Sequence, residues 1–258
     1  MQNDLTIVNT DATNIHQFGM CGYKDPKNPG YQNKLDWLKQ RYDEGLRYKM
    51  LVSEKKGAIG GIEYIPGEYA WRPVVADGFM FIHCIFIIPK EVKGQGYGKK
   101  MVEACISDAR QSGMKGVAVV TRKGTWMAGK ELFLSLGFEV TDTAKPDFEL
   151  LTLKFDPSTP GCKFTSGREN SLKKYSKGLY IITSGQCPYT QKAVVEIGEA
   201  ALKDYGIDPT IVHLENASQA REVPCAFGSF CMIYNGKIIA DHPISQTRFR
   251  NILGKMLE

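Results

Sequence analysis

The 258-residue sequence lacks several features that would settle its class at once. No apolar run approaches the roughly 18 residues that a membrane-spanning helix needs, and the polar start MQNDLTIVNTD lacks a signal-peptide pattern. A cytoplasmic protein with no membrane partner is therefore expected. There are only four histidines, and the seven cysteines, an odd number, show no paired metal-type spacing. They read as reduced thiols, and no metal is expected. Neither the P-loop string Gly-Lys-Ser/Thr nor the dinucleotide string G-x-G-x-x-G occurs. There is no internal repeat and no low-complexity tract. A net charge of +5 and a pI near 8.7 suit an anionic ligand but fall short of a nucleic-acid binder. Oligomeric state leaves no trace in the sequence.

What is present is ordinary globular composition, 43% hydrophobic and 24% charged, arranged as alternating strands and helices. A short strand at Leu5–Val8 is followed by a loop rich in Pro, Gly, Asn and Lys from Cys21 to Lys34. Leu35, Leu38, Tyr42 and Leu46 then share one helical face. Strands are expected at Tyr48–Glu54 and Ala58–Ile65, then an irregular loop from Pro66 to Gly78. The apolar run Phe79–Ile88 ends at Pro89. A basic glycine turn, Lys93-Gly94-Gln95-Gly96-Tyr97-Gly98, opens a helix with Met101, Val102, Cys105, Ile106 and Ala109 on one face. A buried strand at Gly116–Thr121, a weaker helix at Trp126–Leu136 and strands at 138–140 and Phe148–Phe155 complete a mixed α/β layer.

Composition changes at Asp156, and residues 156–177 read as a linker between domains. Beyond it come a strand at Gly178–Thr183, a helix opening at Cys187-Pro188-Tyr189-Thr190 and a strand at Thr210–Leu214. A hairpin turns on Asn235-Gly236, and Ser245 caps a final helix. The expected domains are therefore 1–155 and 178–258.

Strand, glycine turn and helix start form an arrangement that binds phosphate, because the first free amides of the helix point at the anion. A lone G-x-G is as often a plain turn. Here Lys93, Lys99 and Lys100 surround it, and the spacing is Lys-x-x-Gly-x-Gly after Pro89, with Gly137-Phe138 closing a later helix. On these residues the stretch 1–155 resembles the GNAT superfamily of acetyl-coenzyme A-dependent N-acetyltransferases. The first motif position is Lys93 where Arg or Gln is usual, which keeps the charge and loses the fork geometry.

The resemblance implies a sheet that splays between the strand ending at Ile88 and the strand at Val117–Val120. Backbone groups of Ile85, Phe86 and Ile87 would meet the pantetheine arm of acetyl-CoA. The amides of Gly94, Gln95, Gly96, Tyr97 and Gly98, beside Lys93, would hold its pyrophosphate. The late-helix position that carries a proton-donating tyrosine in many members is Phe133, which would line the coenzyme site without donating. The implied activity is acetyl transfer to a primary amine of an unidentified small-molecule or peptide acceptor.

An alkylammonium of pKa about 10.4 costs about 4–5 kcal/mol to deprotonate at pH 7. A carboxylate or histidine is needed to take that proton. Glu63 and His83 are the candidates for the base, and Tyr97, Tyr64 and Tyr69 for the missing acid. Glu63 facing solvent and His83 as a hydrogen-bonded core residue are the plain alternatives. Trp71, Tyr69 and Arg72 in the 66–78 loop are candidate acceptor contacts.

Cys187 stands at a helix N-cap with Pro188 at the first helical position, where the dipole favours a thiolate. The string resembles the glutaredoxin and thioredoxin active-site turn in single-thiol form, Thr190 replacing the second cysteine. Residues 178–258 resemble a degenerate thioredoxin-like domain, and the whole chain a bacterial YoaP-like group. Two alternatives to an acetyltransferase therefore stay open: a thiol-dependent redox protein using Cys187, with Cys225 or Cys231 as resolving thiols, and a noncatalytic coenzyme A sensor.

Overall fold

The computed structural model describes residues 5–124 and 126–258. Two compact units emerge. The first comprises the described residues through Asp25, then Leu35–Ala70 and Val74–Phe164. The second comprises Pro26–Lys34, Trp71–Pro73 and Thr165–Glu258. Among the described residues no helix is long and apolar enough to cross a membrane.

The first unit runs β1 (Leu5–Thr10), α1 (Pro29–Tyr42, its first residues belonging to the second unit), β2 (Arg47–Ser53), β3 (Gly57–Pro66), β4 (Val74–Val75) and β5 (Phe79–Ile87). It continues with α2 (Tyr97–Gln111), β6 (Gly116–Arg122), α3 (Glu131–Leu134), β7 (Glu139–Ala144), β8 (Phe148–Lys154) and β9 (Lys163–Phe164). Seven strands form one sheet in the order β1-β2-β3-β5-β6-β8-β7. All its pairings are antiparallel except β5 with β6. Helix α2 connects that one parallel pair, as such a pair requires.

The apolar face of α2 (Met101, Val102, Cys105 and Ala109) packs on Ile62, Tyr64, Met80, Ile82, Val117 and Val119 of the sheet. The helix is tied down at its polar margin as well. Tyr64 Oη donates to Asp108 at 2.6 Å, and Arg47 and Lys49 approach the same carboxylate at 2.9 and 3.0 Å.

The second unit carries α4 (Arg168–Ser171), β10 (Leu179–Thr183), α5 (Pro188–Tyr205), β11 (Thr210–His213), α6 (Ala217–Arg221), β12 (Phe230–Tyr234), β13 (Lys237–Ala240) and α7 (Gln246–Leu257). Its four-stranded sheet has the order β11-β10-β12-β13. The β10–β11 pair is parallel and the other two are antiparallel. Asn235 and Gly236, both at positive φ, make the hairpin turn. Ser245 accepts from the Arg248 amide at the start of α7.

Three expectations need correction. Helix α1 starts at Pro29, six residues before Leu35, inside the stretch expected to be an exposed loop. Asn28 Oδ1 accepts from the amides of Gly30 and Tyr31, and proline at the first helical position does the rest. The 66–78 loop is not open: Trp71 is 1% and Arg72 4% exposed, so neither stands free to receive an acceptor. The helix expected over Trp126–Leu136 shrinks to Glu131–Leu134, with Trp126 itself at positive φ. Residues 156–177, read as a linker, carry β9, which pairs with β4.

Candidate active site

The parallel β5–β6 ladder is short. It pairs Phe79 with Gly116 and ends at Ile82 with Val119, yet β5 runs on to Ile87 and β6 to Arg122. On its other edge β5 stays paired with β3 up to Ile87. The two strands therefore diverge beyond Ile82 and Val119, leaving a cleft inside the sheet. Ile82, His83, Cys84, Ile85, Val119, Val120, Trp126, Met127, Ala128 and Phe133 line a cavity of about 30 Å³ there.

A β-bulge marks the same point. Glu63 lies opposite Cys84 and Tyr64 opposite Ile82, so His83 is the extra residue. Bulges re-aim side chains. His83 Nδ1 lies 3.1 Å from Glu63 Oε1, with both side chains at most 1% exposed. The two candidate bases are thus brought together as one hydrogen-bonded pair, and neither faces solvent. Around them stand the rings of Trp37, at 5.9 Å from His83, and Phe81, at 5.7 Å. Tyr48 is the cross-strand partner of Glu63 on β2, and its hydroxyl lies 3.8 Å from Cys21 Sγ. Burial pushes the Tyr48 phenol well up, and the charges of Cys21, Glu63 and Cys84 add to this, so it stays a neutral donor. Tyr42 is raised in the same way, first by burial.

The glycine turn sits at the start of α2. Gly96 is its N-cap at φ 82° with no side-chain cap, so no side chain competes for the first helical amides. A Cβ built on Gly94 or Gly96 would meet nothing within 4 Å, which describes a backbone surface open to a ligand. Lys93, Lys99 and Lys100 are all exposed around it. Lys99 approaches Glu103 at 4.0 Å, and the Lys100 ammonium lies 5.1 Å from the Tyr97 ring. Gln95 is anchored through Nε2 to the Glu91 carbonyl at 2.6 Å. The donor set fits a pyrophosphate: consecutive amides, a helix N-terminus and cations.

Not every expected group reaches the cleft. Tyr97 is half-buried at the first position of α2 and is not among the cleft-lining residues. Tyr64 is fully buried on the α2 side and committed to Asp108; burial pushes its phenol up. Tyr69 is 44% exposed within the Pro66–Gly78 loop. Phe133 does line the cleft, fully buried, with its ring 5.5 Å from Phe138. Ile85 lines the cleft too, and Phe86 and Ile87 follow it along the diverging part of β5. Missed from sequence were Cys84, Trp37 and Tyr48; the adjacency of Cys84 to His83 was the one available signal.

A larger pocket, about 920 Å³, opens at the end of β6 between α3 and the β7–β8 turn. Arg122 pairs with Asp147 at 2.6 Å and Lys130 with Glu149 at 2.7 Å. Its mixed, largely matched charge gives no strong field for either sign.

In the second unit, Cys187 is the N-cap of the 18-residue α5 with Pro188 at its first position. Thr190 Oγ1 donates to the Cys187 carbonyl at 2.8 Å. Arg72, buried, donates through Nη1 to Gln186 Oε1 at 2.7 Å, and its guanidinium lies 5.3 Å from the Phe227 ring. Cys225 and Cys231 are buried free thiols; the Cys225 thiol donates to the Asp241 carbonyl at 3.6 Å, and burial pushes the Cys231 thiol well up. Among the described residues, no group of three or more His, Cys, Asp or Glu gathers to hold a metal.

Residues 14–138 match the family model described as "Acetyltransferase (GNAT) family", and residues 210–251 match the model "YoaP-like". A protein of Bacillus subtilis (strain 168) described as "Uncharacterized N-acetyltransferase YoaP" is 28% identical over 226 residues, covering 86% of this chain and 87% of that one. Among solved structures, the putative acetyltransferase YncA of Salmonella typhimurium with acetyl-CoA is similar at 21% identity and a TM-score of 0.44. The likeness covers 61% of this chain and 98% of that one. The GNAT family N-acetyltransferase YhbS of Escherichia coli in complex with CoA is similar at 13% identity and a TM-score of 0.41, covering 64% and 91%.

Proposed function

We propose that this chain, an acyltransferase with a GNAT acetyltransferase domain over residues 14–138 and a YoaP-like segment over 210–251, transfers an acetyl group from acetyl-CoA to a primary amine. The observation that carries the reading is the divergence of β5 from β6 beyond Ile82 and Val119, with the buried Glu63–His83 pair at its bulge.

Acetyl-CoA, when bound, supplies an activated acyl thioester. The amides of Gly94 to Gly98 and the Lys93 ammonium hold the pyrophosphate at the α2 N-terminus. The unpaired edge of Ile85, Phe86 and Ile87 meets the pantetheine amides as a strand would. His83, oriented by Glu63 through Nδ1, accepts the ammonium proton of the acceptor at Nε2. The apolar walls, Ile82, Val119 and Phe133, keep water out of the cleft and hold the reacting groups close. Phe133 leaves the departing thiolate without the phenol that many GNAT members place there.

The second unit is read as a thioredoxin-like scaffold, on the β-α-β-α-β-β-α order of its elements and the Cys187-Pro188 start of α5. The contacts favour scaffold over redox partner: Cys225 and Cys231 are both buried, and the raised Cys231 thiol is a poor attacking group. The reading places the protein in the cytoplasm.

The test is a screen of amines, amino acids and short peptides with the full chain, following release of free coenzyme A. Acceptor-dependent release supports the reading. Calorimetric binding of CoA without release for any amine makes the protein a coenzyme sensor, and no binding at millimolar CoA overturns both.

A further inference from the structure

Among the described residues lining the cleft, Cys84 is the nucleophile that direct acetyl transfer leaves unused. It follows His83 directly, and the bulge lets these consecutive residues line the same cavity. It is half-buried, unlike the fully buried Cys105 and Cys231. Across the strand pair it lies opposite Glu63, whose carboxylate already orients His83 at 3.1 Å. A thiol, an imidazole and a carboxylate orienting that imidazole are the three parts of an activated nucleophile. With Nδ1–H donated to Glu63, the lone pair of His83 lies on Nε2, in the correct tautomer for a base. Tyr48, opposite Glu63 on the neighbouring strand β2, is held neutral by its burial and adds no competing anion.

From this juxtaposition we infer that Cys84 is a catalytic nucleophile that carries the acetyl group between donor and acceptor. The inference rests on the acetyl-CoA reading and deepens it. In the first half-reaction the Cys84 thiol gives its proton to His83, and its sulfur bonds to the acetyl carbon. The carbon–sulfur bond of the donor thioester breaks, and the departing coenzyme thiolate takes up the proton from His83. In the second, the acceptor amine gives a proton to His83 and attacks the S-acetyl carbon. The Cys84 sulfur leaves and is reprotonated by His83. No redox change occurs. One thioester replaces another, and then an amide forms. Such a route also suits a site with phenylalanine at position 133, because His83 serves as both base and acid.

The experiment mixes the full chain with acetyl-CoA in the absence of any amine, quenches rapidly in acid, and reads intact mass and the peptide containing Cys84. The expected result is one acetyl group on Cys84 and a burst of free coenzyme A equal to the enzyme. In Cys84→Ala the adduct and burst vanish. In His83→Gln the rate of acylation falls about 10²-fold or more. Calorimetry with CoA is run on the same samples. CoA binding with no acetyl on Cys84 at any quench time overturns the nucleophile and leaves direct transfer. Acetyl found only on other cysteines, or an unchanged burst in Cys84→Ala, overturns it as well. Absence of CoA binding by the unmodified chain overturns the acetyl-CoA reading itself. The primary readout is the mass of the unmodified chain, so the test stands even where a variant fails to fold.

Discussion

Replacing Gly96 tests the proposed anion-binding turn directly, because two substitutions there separate backbone strain from charge. Gly96 is the N-cap of α2 at φ 82°, with open space where a side chain would grow. Both Gly96→Ala and Gly96→Glu therefore bear the same left-handed strain, roughly 1–2 kcal/mol, and no clash. In a domain of this size that lowers the melting temperature by roughly 2–8 °C in either variant. Only Glu brings a carboxylate to the helix start. At about 5 Å, a pair of like charges costs roughly 0.8 kcal/mol in bulk water and roughly 3 kcal/mol at an effective dielectric of about 20. Against two phosphoryl charges the loss is roughly 2–6 kcal/mol, about 30-fold to about 10⁴-fold in Kd. Calorimetry with CoA, which cannot turn over, measures this without chemistry. The Ala variant is expected to bind within a few-fold of the unmodified chain. The gap between Ala and Glu should narrow in ~1 M salt, where the Debye length is ~3 Å. Equal affinities for the two variants would refute the assignment of this turn to the pyrophosphate.

Three further outcomes follow from particular contacts. Phe133→Tyr places a phenol on the cleft wall, and because His83 already serves as the acid, kcat with the acceptor found by screening is expected to stay unchanged; a rise of about 10²-fold or more would show that the thiolate leaves without an acid in the unmodified chain. Burial pushes Asp108 up, but hydrogen bonds from Tyr64, Arg47 and Lys49 outweigh it and hold its carboxyl below the usual value. Its stabilisation is therefore complete above the unfolded pKa of about 3.9 and is lost as pH falls through the lower folded value. Urea denaturation should show Asp108→Asn less stable by about 1–3 kcal/mol at neutral pH, with the difference shrinking in acid; a difference that grows in acid contradicts the sign. Arg72→Met removes the bonds to Gln186 and the Trp71 carbonyl from a buried site. A loss of about 2–3 kcal/mol in the same assay is expected, and a loss below about 0.5 kcal/mol would show the guanidinium contributes nothing there.

Most strands and the long helices are legible in the sequence because local period and punctuation agree with the fold. The α2 face, the Asn235-Gly236 hairpin and the Ser245 cap each depend on residues within one or two turns of chain. What depends on distant residues is not legible. The 66–78 stretch reads only as an irregular loop with candidate acceptor contacts, yet Arg72 is buried against Gln186 and Phe227, more than a hundred positions on. Helix α1 reads short because Pro29-Gly30 looks like a turn, although Asn28-Pro29 is also a helix start. At the site, Glu63 and His83 are each visible as residue types, but their pairing depends on a one-residue bulge between β3 and β5. No periodicity announces a bulge. That same bulge hides Cys84, which simple alternation places on the face opposite His83.

The early end of the β5–β6 ladder has a consequence for the apo protein. A sheet normally has two outer edges, which charge, proline or a covering helix can blunt. Here two more edges face each other in its interior, at 83–87 and 120–122, in strands that are mostly apolar and contain no proline. Such edges solvate poorly and invite any extended molecule whose amides match their spacing. If the coenzyme arm docks there as proposed, it is not the sole occupant the edges would take, and a short extended peptide should compete for the same place. Amide hydrogen exchange along 84–87 and 120–122 would then slow on binding of either, while that of Phe79–Ile82, already laddered, would stay unchanged.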